Sequence, residues 1–169
     1  MAHNIELKAR VTDLASVEMR ARELADRGPF DLSQDDTFFT CSTGRLKLRE
    51  LAPDCGELIF YRRPDLTGPK LSEYTIVPTS TPALMRDTLG VALGVIGRVR
   101  KRRRLYLVGA TRIHLDQVES LGSFLELEVV LTDAEAADAG VARAQGLLSQ
   151  LGVGTSGLIA GAYLDLLRT

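Results

Sequence analysis

The chain has 169 residues, with 21 lysines and arginines against 22 aspartates and glutamates, and a formal net charge of −1. A chain of this length favours one domain, 1–169, with a sizeable core. The near-neutral charge excludes a polycation that coats nucleic acid, so anion binding would depend on where the basic residues lie. No apolar run approaches the ~18 residues of a membrane span, and neither Cys41 nor Cys55 has metal-ligand spacing, so we expect a cytoplasmic protein without membrane contact.

Alternating polar and apolar residues predict a first strand over 4–11. Asp13 is typical of the N-cap of a helix, which Gly28-Pro29 is expected to end. Further strands are predicted at 37–41, 45–50, 57–63 and 71–77, and helical spacing predicts a helix over 82–93.

The basic segment 95–108 predicts a strand or a pair of strands, with a turn at Gly109. Strands at 111–116 and 124–131 follow, and then two helices at 134–151 and 157–167, the second capped by Ser156. Short connections between seven or eight strands favour antiparallel pairing, so the predicted fold class is α+β.

The polar faces of these strands are almost wholly ionic. For any single strand, a face turned to water explains this pattern. Together the strands are harder to explain in that way, because neighbouring like charges repel and need a counter-charge, which a polyanion supplies. Nine of the 21 basic residues lie on such faces, namely Lys8, Arg10, Arg45, Lys47, Arg49, Arg63, Lys101, Arg103 and Arg112.

Closing the sheet into a barrel turns these faces inward, and eight strands leave an interior that side chains fill or that holds one small ligand. Arginine and lysine suit phosphate oxygens there. Glu6, Glu126 and Glu128 lie on the same faces. Carboxylates beside a phosphate are explained if Mg²⁺ or Mn²⁺ bridges the two.

Six segments in chain order carry a family resemblance. Asn4, Glu6 and Lys8 stand at the positions of a Glu-x-Glu-x-Lys signature, and the other segments are 34–39, 45–49, 101–106, 115–128 and 162–167. The set resembles the CYTH superfamily, the triphosphate tunnel enzymes, and most of all its class IV adenylyl cyclase-like branch. The resemblance implies an eight-stranded antiparallel β-barrel, a triphosphate tunnel, with flanking helices. Asn4 brings a carbonyl oxygen but no charge, so the choice between one metal and two stays open.

The resemblance also implies roles for individual residues. Catalytic roles, stabilising developing charge, fall to Lys8, Arg49, Lys101 and Arg103. Substrate-binding roles fall to Arg10, Arg45, Lys47, Arg63 and Arg112. Arg62 is an alternative to Arg63, because the alternation in 57–63 is blurred. Metal-binding roles fall to Glu6, Glu126, Glu128 and Asp116, the last of which could instead orient Arg112.

Other residues have less definite expectations. His114 could be a general base, but we expect a structural histidine that is hydrogen-bonded to a neighbour. Tyr106 is a ligand contact or a packed aromatic, and Tyr163 and Asp165 are expected to hold the last helix. Residues Arg98, Arg100, Arg102 and Arg104 are expected to face solvent.

The favoured function is metal-dependent and adenylyl cyclase-type, converting ATP to cyclic AMP and pyrophosphate with Mg²⁺ or Mn²⁺ as cofactor. The alternative is a triphosphatase that releases orthophosphate from an inorganic or organic triphosphate. A third interpretation is a polyphosphate- or nucleotide-binding module without turnover. The expected partners are a nucleoside triphosphate or inorganic triphosphate, with no nucleic acid, and a second copy of the chain in a homodimer.

Overall fold

A computed structural model of the protein describes residues 1–168. Eight antiparallel strands close into a barrel in the order β1-β5-β4-β3-β2-β6-β7-β8, which confirms the predicted fold class. The strands are β1 (Ala2–Arg10), β2 (Arg27–Phe39), β3 (Arg45–Ala52), β4 (Cys55–Arg62), β5 (Lys70–Thr79), β6 (Val95–Val108), β7 (Thr111–Val118) and β8 (Gly122–Val130). β1 closes the barrel because it pairs with both β5 and β8.

Four α-helices flank the barrel: α1 (Leu14–Leu24), α2 (Pro82–Leu93), α3 (Ala137–Gln150) and α4 (Tyr163–Leu167). α1 begins as predicted, since the Asp13 carboxylate accepts a hydrogen bond from the Ser16 amide at 3.0 Å. α2 has the predicted bounds. Across residues 1–168, every helix is too short or too polar to cross a membrane.

The outer core lies between the barrel and two of the helices. Apolar residues on the outward faces of β1, β7 and β8, such as Leu7, Ile113 and Leu127, are buried against Val17 of α1 and Leu148 of α3. Burying an aliphatic side chain contributes roughly 1.5–3 kcal/mol. With the apolar residues committed to the outer face, the period of two turns the ionic residues inward.

A second apolar cluster lies inside the barrel and closes one end, which we call the floor. Its members are Phe38, Ile59, Tyr61, Val99, Val118, Phe124, Tyr163 and Leu164. Six of them come from strands, but Tyr163 and Leu164 come from α4. The C-terminal segment therefore completes the floor, and the opposite end of the interior is the mouth.

Two predicted boundaries in the first half are wrong. α1 ends at Leu24 and β2 already begins at Arg27, whereas the helix was expected to reach Gly28 and the strand to begin at 37. The Asp26 amide donates to the Leu107 carbonyl oxygen at 2.8 Å, so pairing with β6 takes over before the predicted helix stop.

The second half differs at its C-terminal end. Segment 95–108 is one strand, and α3 begins at Ala137 rather than at 134. Residues 158–162 are not helical, because Leu158 pairs with Ala9 and the Ile159 amide donates to the Lys8 carbonyl oxygen at 2.9 Å. The predicted helix 157–167 is therefore reduced to α4, and Ser156 lies in a short 3-10 turn.

Candidate functional site

The barrel interior between floor and mouth is a cavity of about 400 Å³, a size typical of small-molecule sites. Its cationic lining residues are Lys8, Lys47, Arg49, Arg63, Lys101, Arg103 and Arg112. Its acidic lining residues are Glu6, Asp36, Glu57, Glu126 and Glu128. Each of these positions continues the inward period of its strand, so alternation in a closed barrel turns all of these charges towards the interior.

Three carboxylates form an acidic cluster on the wall made by β1 and β8. Glu6 stands directly opposite Glu128 in the strand register, and Glu126 is the next inward residue of β8. One oxygen from each of the three lies within 4.8 Å of the others. Each carboxylate has a close arginine, Arg63 for Glu6 at 3.0 Å, Arg103 for Glu126 at 2.6 Å and Arg112 for Glu128 at 3.3 Å.

The acidic cluster fits a divalent cation. Three crowded carboxylates repel one another, and hard cations such as Mg²⁺ and Mn²⁺ bind oxygen ligands of this kind. A further oxygen, Oδ1 of Asn4, is buried without a hydrogen-bond partner and belongs to the inward residue that precedes Glu6 on β1. An unsatisfied buried oxygen is costly unless a ligand, a cation or its water satisfies it.

The opposite wall, made by β2, β3 and β6, carries Asp36 between two cations. Its carboxylate accepts from Lys47 Nζ at 2.8 Å and from Arg49 Nε and a terminal nitrogen at 2.9 and 3.0 Å. Burial by itself raises the pKa of Asp36, but Arg49 and Lys47 outweigh it and hold that pKa well below its usual range. Asp36 is thus a built-in counter-charge for the basic residues.

Asp116 plays the same part at the floor. Its two oxygens accept from Arg103 at 2.7 and 2.6 Å, and Lys101 Nζ lies 3.3 Å away. Burial lowers the pKa of Lys101, and with Arg103 beside it the value falls to about 7. Burial opposes ionisation of Asp116, but Arg103 and Lys101 keep its pKa below the usual range.

The mouth carries an apolar arc. Leu51, Leu32 and Leu105 line the cavity from the neighbouring strands β3, β2 and β6, and Ile76 lines it from β5. Ile76 is 42% exposed, as expected for a residue at an open rim. The cavity therefore has an ionic depth and a partly apolar entrance.

The family model of the CYTH domain matches residues 2–163. The chain belongs to the CYTH domain family. No curated protein matches the chain in sequence.

Solved structures with the same fold cover nearly the whole CYTH chain. The PH1012 protein of Pyrococcus horikoshii is 20% identical with a TM-score of 0.79, covering 96% of this chain and 98% of its own. A candidate adenylate cyclase of Vibrio parahaemolyticus is 20% identical with a TM-score of 0.78, covering 98% of each chain. The Hippeastrum protein HpAC1, a candidate adenylyl cyclase with a dominant triphosphatase activity, is 16% identical with a TM-score of 0.64, covering 99% of this chain and 95% of its own.

Ten of the thirteen residues predicted for the site line the CYTH cavity, and three do not. Asp116 lies beneath it, bound by Arg103, and is not in the acidic cluster. Arg10 is exposed beyond the floor, where it donates to the Leu121 carbonyl oxygen at 2.8 Å. Arg45 binds Asp65 at 2.9 Å and Asp165 at 2.8 Å. Arg10 and Arg45 have the inward parity of their strands but lie past the level at which the barrel is closed.

The structure also shows where His114, Tyr106 and the remaining arginines of β6 lie. His114 lines the cavity with Nδ1 unbonded, and burial, helped by Arg103, lowers its pKa to about 4, so it is neutral at pH 7. Tyr106 packs on the outer face and donates to Glu18 at 2.8 Å. The solvent-facing expectation holds for β6, where Arg98, Arg100 and Arg102 are exposed and Arg104 is 38% exposed and paired with Glu18.

Several cavity residues were missed from the sequence. They are Leu32, Gln34, Asp36, Phe38, Leu51, Glu57, Ile59, Tyr61, Tyr74, Ile76, Val99, Leu105, Ala162 and Tyr163. Asp36 could have been found, because it lies two residues after Gln34 in the family-like segment 34–39 and shares its parity. The apolar members carry no such signal.

Proposed function

We propose that the chain acts as a single-domain, metal-dependent enzyme that cleaves a phosphoanhydride bond of a triphosphate substrate in the barrel cavity. The observation that carries the proposal is the acidic cluster facing a wall of buried cations within one cavity. A phosphate chain supplies the negative charge that the cations need, and a divalent cation held by the acidic cluster would supply positive charge to that chain.

Each group of residues has a distinct part in this proposal. Lys47, Arg63 and Arg112 bind phosphate oxygens, and Lys8, Arg49, Lys101 and Arg103 stabilise the charge that develops as the bond breaks. Mg²⁺ or Mn²⁺ held by Glu6, Glu126 and Glu128 supplies positive charge to phosphate oxygens. The arginines are suited to two oxygens at once, whereas the lysines act as point charges.

The favoured reaction is cyclisation of ATP, in which the ribose 3′-oxygen forms a bond to the α-phosphorus and pyrophosphate leaves. The apolar arc supports an organic triphosphate, because Leu32, Leu51 and Leu105 offer a nucleoside an apolar surface at the mouth. A bare triphosphate would leave that surface in contact with water.

A triphosphatase is the second candidate, with water attacking the terminal phosphorus. It is favoured by the continuation of cations down to the floor, where Lys8 and Lys101 are buried and could hold a terminal phosphate. The reported activity of HpAC1, a protein with this fold, is consistent with that reaction.

Product analysis by chromatography tests both. The purified protein is incubated with ATP, and separately with inorganic triphosphate, with Mg²⁺ or Mn²⁺, beside a Glu126→Gln variant and an exposed-site control, Glu119→Gln. Cyclic AMP and pyrophosphate, lost only in Glu126→Gln, establish the cyclase, and orthophosphate establishes the triphosphatase. Binding without product from either substrate overturns the proposal in favour of a binding module.

A further inference from the structure

The C-terminal segment 158–168 is tied to the barrel at several points. Lys70 Nζ donates to the carbonyl oxygens of Ile159 and Ala160 at 3.2 and 2.9 Å and to that of Leu66 at 2.6 Å. Asp165 is bound by Arg45 at 2.8 Å. These contacts, made by one buried and one partly buried cation, hold the segment against the barrel, whereas chain termini without such ties are commonly poorly ordered.

The segment inserts one polar side chain, Tyr163, into the ionic part of the interior. The hydroxyl of Tyr163 donates to Asp116 Oδ2 at 2.9 Å. The same carboxylate binds Arg103 at 2.7 and 2.6 Å and lies 3.3 Å from Lys101. Asp116 therefore links Tyr163 to Arg103, whose guanidinium also lies 2.6 Å from Glu126 in the acidic cluster.

The ring of Tyr163 contacts the two lysines at the floor. Lys8 Nζ lies 4.0 Å from the ring centroid and Lys101 Nζ lies 5.0 Å from it. These lysine side chains are only 5% and 3% exposed, so the ring is a major neighbour of each ammonium group. A cation over an aromatic face is attracted by the ring, and the attraction is stronger when both groups are desolvated.

We propose that Tyr163 is a positioning residue for three cations of the cavity, holding Lys8 and Lys101 with its ring and Arg103 through Asp116 with its hydroxyl. This inference rests on the proposed function, since those cations are the groups assigned to the triphosphate. It makes the C-terminal segment part of the site rather than a closure of the fold.

Two substitutions separate the ring from the hydroxyl. Tyr163→Phe keeps the ring and removes the hydroxyl, so Arg103 loses one support while all charges remain. We expect kcat to fall about tenfold with KM within threefold, because misplaced charges lower transition-state stabilisation more than the attraction for substrate. Tyr163→Leu removes both supports, so we expect kcat to fall about a hundredfold and the Kd for inorganic triphosphate to rise about tenfold.

Tyr106→Phe is the matched control, because its hydroxyl also donates to a carboxylate, Glu18 at 2.8 Å, but on the outer face of the barrel. It should lower the thermal midpoint about as much as Tyr163→Phe and leave kcat and KM within twofold of the parent. A purely structural role predicts that the two tyrosines behave alike. Equal kcat in Tyr163→Phe and parent, or an equal loss in Tyr106→Phe, overturns the proposal.

Calorimetric titration with inorganic triphosphate keeps the test independent of turnover. If the parent binds triphosphate but forms no product, the proposed function fails, and the positioning role is then decided by Kd alone. It stands if Tyr163→Leu weakens binding about tenfold and Tyr163→Phe restores it to within threefold of the parent. It is overturned if Tyr163→Leu binds as tightly as the parent, and a parent that binds nothing overturns both proposals.

Discussion

The two walls of the cavity use carboxylates in opposite ways. On the wall of β2, β3 and β6, Asp36 is enclosed by Lys47 and Arg49 with contacts of 2.8–3.0 Å. On the wall of β1 and β8, Glu6, Glu126 and Glu128 approach one another within 4.8 Å. Asp36 is thus enclosed between two cations, whereas the three glutamates each have one close arginine and crowd together, so that a bound cation would relieve their mutual repulsion. Crowding of like charges, rather than the number of carboxylates, is therefore the feature that favours a metal ion on the second wall.

The largest expected effect is on the acidic wall. Glu128→Gln removes one negative charge from the cluster, so we expect Mn²⁺ affinity to fall about a hundredfold and activity at limiting metal to fall with it. Glu57→Gln is the matched change at an acidic lining residue outside the cluster and should leave Mn²⁺ affinity unchanged. Electron paramagnetic resonance of free Mn²⁺ gives both affinities. Equal affinities for parent and Glu128→Gln would remove the metal from this wall.

The opposite wall should respond in stability. Asp36→Asn leaves Lys47 and Arg49 buried without their counter-charge, so the free energy of unfolding should fall by about 3 kcal/mol. Inorganic triphosphate should restore much of the loss, because it supplies the missing charge to the folded state only. Urea unfolding with and without triphosphate measures both quantities. An unchanged unfolding midpoint would show that the two walls do not differ as described.

Neutralising a carboxylate should change the free energy of unfolding in opposite directions on the two walls. In metal-free protein Glu128→Gln relieves repulsion from Glu6 and Glu126, and the closest ion pair that it weakens is with Arg112, whose side chain is 42% exposed. We expect a gain of about 1 kcal/mol in the free energy of unfolding, which disappears when Mn²⁺ is added. Chemical unfolding in the presence of a chelator tests the sign, and a loss comparable to that of Asp36→Asn contradicts it.

The smallest expected effect is that of Glu18, a carboxylate on the outer face of the barrel. Glu18 binds Arg22, Arg104 and Tyr106 on the outer face; burial alone raises its pKa, but Arg22, Arg104 and Tyr106 outweigh this and lower it to about 2. A depressed pKa contributes stability that is complete above the unfolded-state value of 4.5 and is lost as the pH falls towards 2. Glu18→Gln should cost about 1 kcal/mol at pH 7 and nothing near pH 2, without changing activity. Unfolding curves at a series of pH values test this, and a difference that persists at pH 2 assigns the loss to packing instead.

Period-two alternation accounts for what the sequence could predict. It placed Glu6 and Lys47 on inward faces, and the same count brought Glu126 and Glu128 together, because parity within a strand is local information. For Arg103 alternation could not choose a face, because basic residues occupy both faces of 98–104, and the family resemblance made the assignment. The barrel itself followed from the family-like segments, whose order the chain preserves.

What could not be predicted depends on the level along each strand. Arg10 and Arg45 have inward parity, but α4 closes the barrel before their level. The sequences of β1 and β3 do not show that a C-terminal segment packs against β1. Likewise, Asp36 pairs with Arg49 only once the register of β2 against β3 is fixed. Long-range pairing also explains β2, which extends back to Arg27 against the local turn signal of Gly28-Pro29.

The floor determines how small molecules can enter and leave the barrel. With Tyr163, Leu164 and Phe124 filling one end, whatever enters by the mouth must leave by the mouth. If the proposed cleavage takes place in such a blind cavity, the outer fragment would have to leave before the deeper one. A fragment bound near Lys8 and Lys101 would then compete with fresh substrate and limit the rate of each cycle.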